Sequence, residues 1–165
     1  MKASERYYEI LKETLGNAFH GQTGALETAA QRIAESLLNG GMLYTFGTGH
    51  GHQLALEIFY RAGGLARVCP ILDERLMLHA SASESTGWER TDGLADELLA
   101  RYPVKAGDVL IAISNSGRNT VPVELAMKCR TRGAYVIALT SLRHTGAVTP
   151  RNPMGKRLFE VADLV

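Results

Sequence analysis

Short apolar runs alternate along this chain with longer stretches of helical periodicity. Met42–Phe46, Val109–Ile113 and Tyr135–Thr140 read as strands buried on both faces. Leu65–Leu72 reads as a further strand through Ala66, Val68, Ile71 and Leu72, with Pro70 placing it near an edge. Between the runs, apolar residues recur at helical spacing. Ser4–Leu15 (Tyr7 or Tyr8, Leu11, Leu15) predicts a first helix with Ser4 as N-cap and Gly16 as its stop. Leu26, Ala29 or Ala30, Ile33 and Leu37 predict a second, ended by Gly40-Gly41. Further helices are expected over Gln53–Ala62, from a Thr91 or Asp92 cap through Leu94, Leu98 and Leu99 to Tyr102, and from Pro122 to Arg130. Asp73–Arg90 is harder to read, with weak helical character near Leu76–His79 and then a small polar loop, A-S-A-S-E-S-T-G. The tail is a Pro/Gly-broken loop, Ser141–Arg157, followed by F-E-V-A-D-L-V.

Strands alternating with helices predict a three-layer α/β/α sandwich with a mostly parallel sheet and right-handed crossovers. Residues 1–165 are expected to form one domain, with 1–40 as leading helices that can also serve as a dimer contact. Ala162–Val165 looks like the start of a last strand with no helix after it to cover its face, which predicts a fragment of a longer chain.

Composition changes this picture little. Apolar residues make up 45% and charged residues 21%, ordinary for a globular domain. Eighteen basic residues against 17 acidic ones leave a net +1, which gives no electrostatic case for nucleic acid or an anionic membrane. The N-terminus M-K-A-S-E-R-Y-Y-E lacks an apolar signal core, and no apolar run approaches membrane length. Cys69 and Cys129 have no CxxC spacing and read as buried thiols. These features predict a cytoplasmic protein.

In parallel sheets ligands sit beyond the carboxyl ends of strands, and two loops stand out there. Gly47-Thr48-Gly49-His50-Gly51-His52 follows a strand and precedes a helix, as a dinucleotide fingerprint does. The third fingerprint glycine falls at His52, however, although Asp73 and Glu74 lie where a ribose-binding acid would. The other reading is that Gly47, Gly49 and Gly51 let the backbone approach a sugar or its phosphate closely. The second loop, S-N-S-G-R-N-T from Ser114 to Thr120, turns an apolar strand abruptly into hydroxyls and a helix N-terminus. Ser114 and Ser116 can each donate an O–H to a phosphate, and the backbone N–H groups from Asn115 to Thr120 can add to them. A plain turn with Thr120 as N-cap explains Thr120 but not the hydroxyl cluster.

These elements, with G-D-V-L-I-A-I-S-N-S-G and a strand ending A-L-T-S, resemble the SIS (sugar isomerase) domain. Within it the chain is most similar to uncharacterised SIS proteins grouped near phosphoheptose isomerases. The resemblance implies a five-stranded parallel, flavodoxin-like sheet, a homodimer or homotetramer, no cofactor, and a phosphorylated sugar as ligand. Matched by motif, Ser114, Asn115 and Ser116 would hold the phosphate, with Gly117 as the turn. Asn119 stands where the family commonly has the next phosphate hydroxyl, with Thr120 one residue on. Gly51, between His50 and His52, stands where phosphoheptose isomerases typically have Ser.

The implied chemistry is aldose–ketose isomerisation through an enediol, which needs a base and an acid for the carbonyl oxygen. Glu57 is the carboxylate best placed by sequence, against an alternative of a solvated pair with Arg61 at i+4. His50 and His52 supply imidazoles. Glu89, in W-E-R-T-D-G, is a further candidate that could reach a site across a subunit boundary, or else act as a local cap. A metal held by His50, His52 and Glu57 matches no established ligand spacing, so no metal is expected. In the isomerases a further His or Glu comes from C-terminal helices that this chain lacks. A non-catalytic phosphosugar sensor and an etherase-like lyase are the alternatives, with a nicotinamide enzyme further off.

Overall fold

The computed structural model describes residues 1–165. Four parallel strands form the sheet in the order β2-β1-β3-β4: β1 (Leu43–Gly47), β2 (Val68–Pro70), β3 (Val109–Ile113) and β4 (Tyr135–Leu139). The register sets Leu43 beside Val109 and Val109 beside Tyr135. Because side chains alternate across a strand, Tyr44, Phe46, Leu110, Ala112, Val136 and Ala138 share one face. There they join the main core of 21 buried residues with α4 (Leu94–Arg101) and α5 (Thr120–Thr131). The opposite face is thinner. Leu43, Val68, Val109 and Ile137 lie beneath Ala29, Ile33 and Leu37 of α1 (Ala3–Leu38). On that same face α2 (Gly51–Glu57) covers the upper end of β1, where the Thr45 hydroxyl donates to the Ala55 carbonyl at 2.8 Å.

A fully buried carboxylate closes the edge of the sheet at the amino ends of β1 and β3. Asp108 accepts hydrogen bonds from the Met42 and Lys105 backbone N–H groups, both at 2.9 Å, and from Lys105 Nζ at 3.0 Å. The starts of β1 and β3 are thereby held level, so their carboxyl ends emerge side by side.

Several expectations are corrected. The sheet has four strands rather than five: near the C-terminus only Leu164 forms a parallel bridge, to Ile137 beside β4. The two leading helices are one continuous helix of 36 residues, roughly 54 Å long. Gly16 does not stop it, because a glycine stop adopts a positive φ, as Gly40 does at +80° and Gly16 does not. The helix expected to reach Ala62 ends at Glu57, and the chain then enters the left-handed region at Tyr60 (φ +53°). Strand β2 is three residues long and ends at Pro70, on the edge of the sheet. The small polar loop is helical: α3 (Ala82–Trp88) starts at Ser81, whose hydroxyl accepts the Glu84 N–H at 3.4 Å. Neither Thr91 nor Asp92 caps α4; Gly93, at φ +80°, takes that position. No helix is long and apolar enough to cross a membrane.

Candidate functional site

The loops after β1 and β3 meet in one open cavity of about 360 Å³. Four walls enclose it. Thr48, Gly49, His50 and Gly51 come from the first loop; Ser114, Asn115, Ser116 and Asn119 from the second. Leu78, Ser85, Thr86 and Glu89 come from α3 and its flanks, and His144 comes from α6 (Leu142–Gly146), after β4.

The second loop is tied at its ends and open at its centre. The Gly117 N–H donates to Ser114 Oγ at 3.1 Å, and the Gly117 carbonyl accepts from the Leu158 N–H at 2.8 Å. Gly117 itself has φ +56°, and a Cβ there would come within 3.1 Å of Leu158 Cβ, so the turn needs glycine. The Asn115 carbonyl accepts from the Ser141 N–H at 3.3 Å and from Thr140 Oγ1 at 3.2 Å. The Asn115 and Ser116 N–H groups have no acceptor within the chain, and the Ser114 hydroxyl hydrogen is uncommitted. Directly behind them α5 presents its positive end. Unbonded N–H groups, serine hydroxyls and a helix N-terminus together are able to hold an anion.

The first loop is shaped by close backbone approach. A Cβ at Gly47 would lie 2.3 Å from the Gly51 carbonyl carbon, and one at Gly51 would lie 2.9 Å from the Ile113 carbonyl oxygen. The start of α2 is therefore pressed against both its own strand and the end of β3. Below it, the Gly49 N–H donates to the Leu76 carbonyl at 2.9 Å. Leu76 belongs to a 3₁₀ turn capped by Asp73, a carboxylate gripped by Arg75 and Arg101 and held by them down to about pKa 2.

Glu89 is the carboxylate of the cavity. It accepts from Thr48 Oγ1 at 2.8 Å and from Asn119 Nδ2 at 2.6 Å, so it joins the two loops. Its backbone carbonyl accepts the Val121 N–H at 3.0 Å, which fixes it to the first turn of α5. Two of its roughly four lone-pair sites remain free. Asn119 is itself 8% exposed, and its Oδ1 has no partner in the chain.

Other sequence candidates fall elsewhere. Glu57 does not line the cavity; its side chain is 63% exposed and pairs with Arg61 at 2.9 Å, the arrangement expected of an i+4 surface pair. His52 is buried, its Nδ1 donating to the Gly49 carbonyl at 2.6 Å and its ring tilted against His79, so it braces the loop from behind. Thr120 is buried as the first residue of α5 rather than its cap and faces away, leaving Asn119 as the residue at the wall. Gly47 and Gly117 shape the turns without lining the cavity. Ser85, Thr86, Leu78 and His144 were not singled out by the sequence reading. His144 follows a strand at the same edge, a position the strand-end rule marks; Ser85 and Thr86 sit in the polar run that reads as loop.

The SIS domain family matches residues 6–141, and the chain belongs to it. A UPF0309 protein of Halalkalibacterium halodurans is 46% identical over 159 residues, 96% of this chain and 66% of that protein. A UPF0309 protein of Listeria innocua is 42% identical over 96% of this chain and 64% of its own length. The chain thus spans about two thirds of the length of these relatives. Among solved structures, phosphoheptose isomerases from Neisseria gonorrhoeae (TM-score 0.56, 21% identity) and Francisella tularensis (TM-score 0.59, 16% identity) share its fold. Each match covers 92% of this chain and 83% of the other.

Proposed function

We propose that this domain binds a phosphorylated sugar and interconverts its aldose and ketose forms, with Ser114-Asn115-Ser116 holding the phosphate. One observation carries the reading: the open anion seat of the second loop and the carboxylate of Glu89 share one cavity. Phosphate oxygens would accept from the free Asn115 and Ser116 N–H groups and the two serine hydroxyls. The sugar would extend toward Thr48–Gly51, where glycine backbone allows close approach. Glu89 is the base we assign: it would take the proton from C2 of the aldose and return it to C1. Meanwhile His50 or His144, on the walls beside it, would move a proton between O1 and O2. Atoms balance, and no redox partner is needed.

The isomerases named above support the substrate class by fold. The free thiols Cys69 and Cys129 fit a reducing, cytoplasmic setting. The exposed apolar side chains of α1, among them Tyr7, Leu11, Leu15 and Phe19, fit a homodimer or homotetramer. A sensor or etherase-like lyase would use the same phosphate seat.

Melting temperature followed against fructose 6-phosphate, sedoheptulose 7-phosphate and NAD tests the binding claim. Stabilisation by a sugar phosphate that is lost in the Ser114→Ala/Ser116→Ala double variant is expected. Stabilisation by NAD alone overturns it. Aldose–ketose turnover that survives unchanged in Glu89→Gln removes Glu89 as the base.

A further inference from the structure

Three guanidinium groups beside the cavity share one neighbouring carboxylate, Glu89, and none of them is ion-paired with it. Arg90 follows Glu89 directly and Arg118 precedes Asn119 directly, so each is one residue from the cavity wall. Arg151 is drawn to the same place by backbone: its N–H donates to the Arg118 carbonyl at 2.8 Å, and it bridges Asn119 in parallel pairing. The Glu89–Asn119 hydrogen bond at 2.6 Å draws the two loop ends together and brings Arg90 to this group.

Of the ten other arginines, six face a carboxylate and two, Arg67 and Arg132, donate to the Gly40 and Leu99 carbonyls, while Arg6 and Arg143 have neither. Arg32, Arg61, Arg75, Arg101, Arg130 and Arg157 each face a carboxylate within 4 Å. None of Arg90, Arg118 and Arg151 takes part in an ion pair, and Arg118 Nε is buried with no acceptor at all. The positive charge of Arg118, and then that of Arg90, holds the Arg151 guanidinium below its ordinary value. The neighbouring carboxylate, Glu89, already accepts from Thr48 and Asn119. Against the single charge of Glu89, three guanidiniums leave an excess of positive charge around one buried, unsatisfied donor, which a further anion would offset. Guanidiniums are suited to carboxylate and phosphate because their donors form a planar fork.

We propose that Arg90, Arg118 and Arg151 form a second anion subsite, and that the ligand is a sugar phosphate with another anionic group, a carboxylate or second phosphate, at its far end. This rests on the phosphate seat at Ser114–Ser116 and narrows the substrate class it serves. A singly phosphorylated, otherwise neutral sugar would occupy only half of the site.

Calorimetric titration of the whole chain tests this with three probes: fructose 6-phosphate, fructose 1,6-bisphosphate and 6-phosphogluconate. One or both of the probes with two anionic groups should bind at least about tenfold more tightly than fructose 6-phosphate, as a charge-assisted bidentate contact allows. Which of the two gains identifies the second group. The advantage should shrink on raising salt. Arg151→Gln, at an exposed position, and Arg118→Gln should each remove the advantage and leave fructose 6-phosphate affinity in place, with melting curves confirming the fold. Equal affinity for all three probes overturns the subsite while leaving the phosphate seat standing. So do arginine variants that weaken every probe alike, and a preference insensitive to both variants. Failure of every probe to bind overturns the phosphate seat and the subsite with it.

Discussion

The two loops that build the cavity leave adjacent strands at the same height, yet they solve different problems. The loop after β1 is made of glycine and backbone: Gly47 and Gly51 exist as glycines because other backbone atoms occupy the space of a Cβ. The loop after β3 is made of side-chain and backbone donors, and its single obligatory glycine, Gly117, closes the turn behind them. One loop supplies room and the other supplies hydrogen bonds. Substitutions in the first should therefore act on the fold, and substitutions in the second on the ligand.

The largest effect expected from this contrast is at Gly47. Gly47→Ala places a Cβ 2.3 Å from the Gly51 carbonyl carbon and 2.4 Å from its oxygen, both backbone atoms that cannot swing aside. A loss of about 3 kcal/mol or more in unfolding free energy is expected in urea titrations. Gly49→Ala is the control. Its Cβ would meet only Leu78 Cδ2 at 3.9 Å, so the cost is the left-handed φ of +56°, about 1 kcal/mol. Equal costs at the two positions would break the account of the first loop as a packing device.

The support beneath that loop gives the next effect, and it depends on pH. Asp73 is 7% exposed, and its hydrogen bonds to Arg75 lower its pKa from 3.8 to about 2. The unfolded chain therefore binds this proton more readily than the folded one. The contribution, about 2 kcal/mol, is fully present above pH 4 and disappears as pH falls through about 2. Stability measured from pH 6 down to pH 2 should show this decline, and Asp73→Asn should remove that part of it. An unchanged pH profile in the variant would detach Asp73 from the loop.

How much of this was legible in sequence follows the same division. Apolar runs that end in a change of character, such as Val109–Ile113 into Ser114, carry strand and loop together, so β1, β3 and β4 were found nearly to the residue. That the second loop lines a cavity was legible because its hydroxyl and amide side chains break an apolar run at a strand end. The unity of α1 was not, since Gly16 in a helix interior costs only about 1 kcal/mol, too little by itself to end a helix. That His52 and Glu57 lie off the cavity was not legible, because spacing along α2 does not say which side of the helix the cavity takes. Ser85 and His144 arrive from distant segments, and only the fold brings them in.

Serine variants sharpen the contrast at the second loop, with smaller effects on stability. Ser114→Ala leaves the Gly117 N–H without its acceptor and should cost about 1 kcal/mol. Ser116 accepts no hydrogen bond within the chain, and Ser116→Ala should leave the melting temperature unchanged. Each should weaken sugar-phosphate binding about tenfold in calorimetry, because each removes one charge-assisted donor. A Ser116→Ala variant that binds normally would leave the phosphate to the backbone alone.

The smallest effect is expected at Glu57, and it is informative because sequence alone favours that residue. Its carboxylate lies in solvent beside Arg61, an i+4 pair of the kind that contributes little to stability. Glu57→Gln should leave melting temperature, ligand affinity and any isomerase turnover as they are, while Glu89→Gln should abolish turnover by disturbing the carboxylate that joins Thr48 to Asn119. The pair separates two accounts of the first loop. If Glu57→Gln suppresses turnover and Glu89→Gln does not, then α2 supplies the reacting group after all. The Glu57 side chain would then have to act from a surface that the cavity of one chain does not include. A second copy covering that surface would become part of the site, and turnover would fall on dilution below the association range. Turnover proportional to protein concentration, with Glu57→Gln silent, leaves the chemistry on the Glu89 wall.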